Sequence, residues 1–194
     1  MLTLYIDFKS PAAYLALAPT VDLIERRGLS VTWKAFNTVQ KAVPEQTENE
    51  TVGESHRRVR AQARRDTHLG YAARQGLDMR FQDPPGSTDL ALATLTQLTT
   101  DPLPFIKSAF HAYWVEGADL NLHDTVSALL GDNGYAPACM PTDVEAVVAA
   151  AQAEGEAAGV VDAPAYLIAE QLFIGREHLP WIESLISQAR ASLS

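Results

Sequence analysis

The chain opens on apolar side chains at alternate positions. Residues 2–8, Leu-Thr-Leu-Tyr-Ile-Asp-Phe, are rich in β-forming side chains and predict a first strand. Ser10-Pro11 then carries a helix-start signature, with Ser as N-cap and Pro in the first turn. Tyr14, Leu15, Leu17, Ala18, Val21, Leu23 and Ile24 recur at helical spacing, and Gly28 is placed to end that helix. Pro19 lies inside the run and predicts a kink or break. Residues 29–36 alternate again and predict a second strand. Strand, helix, strand favours a parallel βαβ unit with a right-handed crossover.

The middle of the chain changes period. Residues 37–55 are polar and turn-rich, and residues 55–76 predict a basic, polar helix closing at Gly76. Residues 83–88 form a turn. Helical periodicity then spans 88–100, 102–116, 122–131 and 142–155, interrupted at Pro102, Gly117, residues 131–134 and Pro141. β-forming runs return at 165–168 and 171–174, flanking Ala169-Glu170. That spacing predicts a hairpin, although the turn lacks the favoured Asn-Gly. Gly175 ends the second strand, and 177–192 predict a closing helix with Leu179, Trp181, Ile182, Leu185 and Ile186 inward. Neither end is stable alone, so the two must pair. The expected α/β architecture is a four-stranded mixed sheet, βαβ … ββα, with helices on both faces and an inserted all-α subdomain over one end. Residues 1–40 and 157–194 would form the sheet domain and 55–156 the insert, within one continuous unit.

Composition narrows the function classes. A chain of 194 residues, 47% of them hydrophobic, can bury one good core with an insert. The net charge of −9 argues against a nucleic-acid partner. No run approaches the ~20 apolar residues of a membrane span, so no membrane partner is expected. The first residues lack a basic leader and carry Asp7 early, which points to a cytoplasmic location. One basic run, His56 to Arg65, is either a solvated helix face or an anion-binding edge. The lone cysteine, Cys139, permits no internal disulfide, no CxxC pair and no thiolate zinc site. His68 and His123 are isolated in sequence, and no metal-ligand spacing, nucleophile elbow or phosphate loop occurs, so no metal is expected.

Candidate chemistry lies at the carboxyl ends of the parallel strands. Ser10 falls there, at a helix N-terminus whose free N–H groups favour an anion. Its hydroxyl can donate to a thiolate or carboxylate, or serve only as a cap. Ala163-Pro164 precedes a strand, where a proline belongs. A cis bond there would leave the Ala163 backbone free to pair with an extended ligand. Arg176 and Glu177 open the last helix and can cap it, or hold a carboxylate and an ammonium. His111 and Trp114 are candidates to line a pocket or to pack. Asp7 reads as a strand-edge residue.

Several segments together resemble a known family. Residues 5–16, Tyr-Ile-Asp-Phe-Lys-Ser-Pro-Ala-Ala-Tyr-Leu-Ala, resemble the N-terminal motif of the DsbA-like thioredoxin superfamily. The branch is that of 2-hydroxychromene-2-carboxylate isomerases and kappa-class glutathione transferases. Residues 110–120 resemble the branch's insert-helix motif, F-x-A-x-W-x-E-G-x-D, and 159–166 and 172–175 its cis-proline loop and final hairpin. The resemblance implies a thioredoxin-like fold, glutathione as cofactor, a small-molecule substrate and a homodimer. Ser10 would be the catalytic serine that bonds the glutathione sulfur. The Ala163–Pro164 bond would be cis and pair with the cysteinyl backbone, and Arg176 and Glu177 would lie near the γ-glutamyl end. Tyr14, His111 and Trp114 would wall the substrate. The implied activity is a glutathione-dependent isomerase or transferase acting on a small aromatic or unsaturated electrophile. The alternative is a catalytically inactive binding module of the same fold. The chain departs from the pattern at Ala12, where the branch carries an aromatic, and at Arg176 and His178. Dithiol exchange is excluded by chemistry. Ser10 and Ala13 occupy the two CxxC positions, and a hydroxyl cannot form a mixed disulfide.

Overall fold

The computed structural model describes residues 1–191. The sheet has four strands in the order β2-β1-β3-β4. Strand β1 (Leu2–Ile6) runs parallel to β2 (Val31–Ala35), with Leu4 opposite Trp33. On its other side β1 pairs antiparallel with β3 (Ala165–Ile168), and β3 with β4 (Gln171–Ile174). The two ends of the chain therefore close on each other, as the instability of either end alone requires. The β3–β4 turn places Ala169 at φ 48° and Glu170 at φ 63°, both left-handed, as a tight two-residue hairpin demands.

Strand alternation divides the core. Leu2, Leu4 and Ile6 of β1 and Tyr166 of β3 face a large cluster that includes Phe8, Leu15, Phe105, Phe110, Trp114 and Ile182. Tyr5 and Ala165 face the opposite side, in a small cluster with Phe36 and Val160.

Helix α1 (Pro11–Arg27) starts as its sequence predicts. The Ser10 side chain accepts from Ala13 N, and Gly28 ends the helix at φ 52°. The expected break at Pro19 does not occur, because α1 is continuous through it. Proline cannot donate to the carbonyl four residues back, so Leu15 O loses its helical partner. With its side-chain amide oriented to suit both neighbours, Gln75 donates to Leu15 O at 3.3 Å and accepts from Arg176 at 3.3 Å. A residue far along the chain thus fills the gap that proline leaves.

Between β2 and β3 lie α2 (Val52–Arg74), α3 (Asp89–Gln97), α4 (Leu103–His111), α5 (His123–Asp132) and α6 (Val144–Ala157). Helix α2 starts ahead of the expected residue 55, because Thr51 and Glu54 form a capping box. The expected helix 102–116 is α4 followed by a π-helical turn, Ala112–Glu116, ended by Gly117 at φ 72°. Helix α6 approaches the sheet closely, since a Cβ at Gly155 would lie 2.6 Å from Phe36 Cδ2.

The chain ends with a 3-10 turn (Arg176–His178) and α7 (Leu179–Ala191). The last residue of the expected helix 177–192 lies outside the described residues. Trp181 corrects the sequence reading, being 71% exposed rather than inward. The inward stripe centres on Ile182 and Ile186, at 0% and 5% exposure. Trp181 stands about 100° around the helix from Ile182, off that stripe. Among the described residues, no helix is long and apolar enough to cross a membrane.

Candidate functional site

The carboxyl end of β1 carries three buried polar residues, Asp7, Lys9 and Ser10. Ser10 N donates to Asp7 O at 3.1 Å, which turns the chain into α1. The Ser10 hydroxyl accepts from Ala13 N at 3.2 Å and donates to Ala163 O at 2.7 Å. It is an N-cap and, in the same geometry, a bond across 153 residues of sequence. The Ala163–Pro164 bond is cis, as the resemblance implies. Ala163 N donates to the Asp162 carboxylate at 2.8 Å, so both backbone groups of Ala163 are already bonded.

Gly175 N donates to Pro164 O at 2.8 Å, which sets Arg176 and Glu177 beside the proline loop. Gly175 has φ 98°, and a Cβ there would lie 2.4 Å from Glu177 Oε2, so the carboxylate folds back over this backbone. The Arg176 guanidinium stacks on Tyr71 of α2 at 4.0 Å from the ring centre. Neither side chain plugs the opening at Ser10.

That opening is a cleft of about 760 Å³, lined by Ser10, Pro11 and Ala12, the segment Phe36–Gln40, Arg64 and His68 of α2, and residues of α6 and the 160–162 segment. A second cavity of about 350 Å³ shares Pro11, Val39, Gln40, Arg64 and His68 with it and continues under the 39–44 strap. There it meets Lys41, Arg57, Phe81 and Asp83. The basic run thus divides. Arg58 pairs with Glu50 at 2.9 Å away from the cavities, whereas Arg57, Arg64 and Arg65 face them, Arg65 while paired with Asp83 at 3.0 Å. Burial, and then the charges of Arg176 and Arg64, push the His68 pKa below its ordinary value.

Asp7 is the functional-edge residue that sequence reasoning undervalued. It is 0% exposed. Its carboxylate accepts from Thr38 N at 2.7 Å, Thr38 Oγ1 at 2.6 Å, Thr88 Oγ1 at 3.0 Å and Lys9 N at 3.2 Å. Lys9 Nζ lies 3.0 Å from it and also bonds Asn37 Oδ1. Asn37 Nδ2 in turn donates to Asp89 at 2.9 Å. This network underlies the cleft wall at Asn37 and Thr38. The only sequence signal was a charged pair, Asp7 and Lys9, set around Phe8 in an apolar strand end.

The expected wall residues are placed elsewhere. Trp114 is 2% exposed, and its Nε1 donates to Phe8 O at 2.8 Å, so it supports the backbone below Ser10 from the core. The Tyr14 ring stacks on Trp114 at 5.7 Å and 13°, and its hydroxyl donates to Asp78 O at 2.9 Å. Tyr14 and His111 line a separate groove between α1 and α4, where His111 lies 3.4 Å from Glu116. None of the three lines the Ser10 cleft. Trp114 is consumed in packing under β1, Tyr14 is drawn from α1 onto its ring, and His111 stands exposed at the end of α4. Among the described residues, no group of three His, Cys, Asp or Glu side chains converges as a metal site would.

A family model for a DSBA-like thioredoxin domain matches residues 1–187. No curated protein matches the chain significantly. Among solved structures, the chain is similar to a 2-hydroxychromene-2-carboxylate isomerase, with TM-score 0.79 and 16% identity over 100% of this chain and 98% of that one. It is also similar to the cytosolic disulfide reductase DsbM of Pseudomonas aeruginosa with GSH, with TM-score 0.65 and 15% identity over 99% and 98% of the chains. A probable DsbA oxidoreductase of Streptomyces coelicolor gives TM-score 0.67 and 18% identity over 98% and 89%. At these identities the likeness is one of fold.

Proposed function

Because the chain belongs to the DSBA-like thioredoxin domain family, we propose that it is a glutathione-dependent isomerase or transferase acting on a small aromatic or unsaturated electrophile. The observation that carries this reading is the 2.7 Å bond from the Ser10 hydroxyl to Ala163 O, beside the cis proline. An extended peptide thiol that pairs with the Ala163 backbone takes over that carbonyl. The serine hydroxyl is then released, and it can donate to the sulfur. Binding and thiolate stabilisation are thus coupled through one exchanged bond. A thiolate stabilised in this way adds to an electrophilic carbon. It leaves after bond rotation in an isomerase and stays in a transferase. Arg176 and Glu177, held beside Pro164, would meet the charged end of glutathione. The similar structures of an isomerase and of a reductase with GSH support the choice of cofactor. Thiol–disulfide exchange is not part of the reading, since Cys139 sits in a 3-10 turn of the insert and Ser10 cannot form a mixed disulfide. A cytoplasmic location and a homodimer belong to it as expectations, checked by cell fractionation and light scattering.

Calorimetric titration with glutathione tests the proposal. Wild-type protein should bind, and Ser10→Ala should bind about tenfold more weakly, the loss of roughly one good hydrogen bond. Absence of binding at millimolar glutathione would overturn it. A second reading, a binding module without turnover, is favoured by the 1% exposure of Ser10 and the occupied backbone of Ala163. Glutathione binding without any thiol addition to 1-chloro-2,4-dinitrobenzene or to an unsaturated keto acid would select it.

A further inference from the structure

We propose that His68 is the proton acceptor for the thiol that binds against Ser10. This rests on the glutathione reading above and adds the group that reading lacks. Ser10 cannot remove a thiol proton. Its hydroxyl donates to Ala163 O and accepts from Ala13 N, and among the described residues no basic side chain bonds to it. Another group facing the cleft must take the proton.

The candidates are few. Arg64, beside His68 in the cleft, carries a guanidinium, which offers donors and no acceptor. The carboxylates that line the cleft are Asp162 and Glu156. The first accepts from Ala163 N and the second from Gln152 Nε2 at 2.9 Å. A carboxylate is also a poor match for a thiol, because an efficient base has a pKa near the working pH. His68 has the matching chemistry. It lines both cavities and so stands where the cleft passes into the pocket under the strap.

Its surroundings suit the role. Phe81 lies 6.4 Å away, ring to ring, and screens one side. The charged groups around it are Arg64 on its own helix, Arg176 from the last 3-10 turn, and Lys41, Arg57, Arg65 and Asp83 around the adjoining pocket. Burial and the neighbouring arginines keep the imidazole neutral near pH 7, with a free lone pair. The same arginines offset a thiolate once it forms.

The step balances without an added redox partner. The S–H bond breaks and an N–H bond forms on His68. The sulfur pair forms a C–S bond, and the displaced C=C pair moves onto the conjugated oxygen. After rotation the C=C bond re-forms, the C–S bond breaks, and the thiolate takes its proton back from His68. In a transfer by addition the imidazolium instead protonates the adduct; in a transfer by substitution the C–Cl bond breaks, chloride leaves, and the imidazolium releases its proton to water.

Nitrogen NMR of histidine-labelled protein reads the proton directly. The chain has five histidines, and His68→Gln assigns the signal. At pH 7 the His68 ring should be neutral alone, protonated with saturating glutathione, and neutral with S-methylglutathione, which has no thiol proton. A ring that stays neutral under saturating glutathione overturns the assignment. His68→Gln should bind glutathione more weakly than wild type at pH 7 by calorimetry, because the thiolate–imidazolium pair is lost, and should bind S-methylglutathione as wild type does. It should add glutathione to 1-chloro-2,4-dinitrobenzene about 100-fold more slowly at pH 7. Its rate should climb with pH until the free thiol ionises near about 8.5. A variant that keeps the wild-type pH profile also overturns the assignment. Wild-type protein that binds no glutathione removes the underlying reading, and this one with it, whereas binding with an unprotonated His68 removes this one alone.

Discussion

Asp7 and Ser10 sit at the same end of the same strand, at 0% and 1% exposure, yet they are bonded in opposite styles. Asp7 spreads one charge over three parts of the chain. It holds Lys9 on its own strand end, Thr38 after β2 and Thr88 before α3. A buried carboxylate with this many donors has no reason to exchange any of them, because each lost partner leaves charge unscreened. Ser10 makes one neutral bond to one carbonyl across the sheet edge and one cap bond to its own helix. A neutral hydroxyl can change partner at a cost of about 1 kcal/mol. The difference separates scaffold from working part. Asp7 fixes where the edge is, and Ser10 is the group on that edge able to turn toward a ligand.

The largest expected effect comes from breaking the charged hub. Asp7→Ala should destabilise the fold by about 3–5 kcal/mol in denaturant unfolding, since Lys9 is left buried without its carboxylate. If the loss were smaller than that of Ser10→Ala, the division of roles would collapse. Next comes Tyr113, whose phenol is pushed up to about 12, first by burial and then by the nearby Asp7 charge. The unfolded chain releases this proton near 10 and the folded chain near 12, so between them the folded state holds more protons. Stability should therefore fall as pH rises through that window, by about 1.4 kcal/mol per pH step. Tyr113→Phe should flatten that alkaline loss in pH-dependent unfolding. The smallest effect on stability is expected for Ser10→Ala, about 1 kcal/mol from the lost cap, together with its larger effect on glutathione affinity. A loss above 3 kcal/mol would place Ser10 with Asp7 as scaffold.

The frame of the molecule is written locally. The β-forming runs in 2–8 and 165–174, the Ser10 cap and Gly28 are all short-range signals, and each is found where its pattern places it. The site is only partly local. Position alone made Ser10 a cap, which it is. Its bond to Ala163 carries no local signal, because 153 residues separate the pair; the family resemblance implied only that both meet one ligand. Asp7 was underrated for the same reason, since Thr38 and Thr88 lie 31 and 81 residues away and neither threonine advertises its partner. Trp114 shows a different limit. An aromatic at helical spacing is compatible with a pocket wall and with the core, and only the hydrogen bond to Phe8 O tells which. Trp181 failed through phase, because it stands about 100° around the last helix from Ile182, off the stripe that Ile182 and Ile186 define.

The hairpin tip has a use of its own. Ala169 and Glu170 both hold left-handed backbone angles that side chains resist, and both are exposed. Replacing the pair with Asn-Gly keeps the turn and removes the resistance, for a gain of roughly 1–2 kcal/mol. That reserve lies on the hairpin loop, apart from the residues that line the Ser10 cleft. It offers a reinforced chassis in which crippling changes to Asp7 could still be purified, and their chemistry measured apart from their damage to the fold.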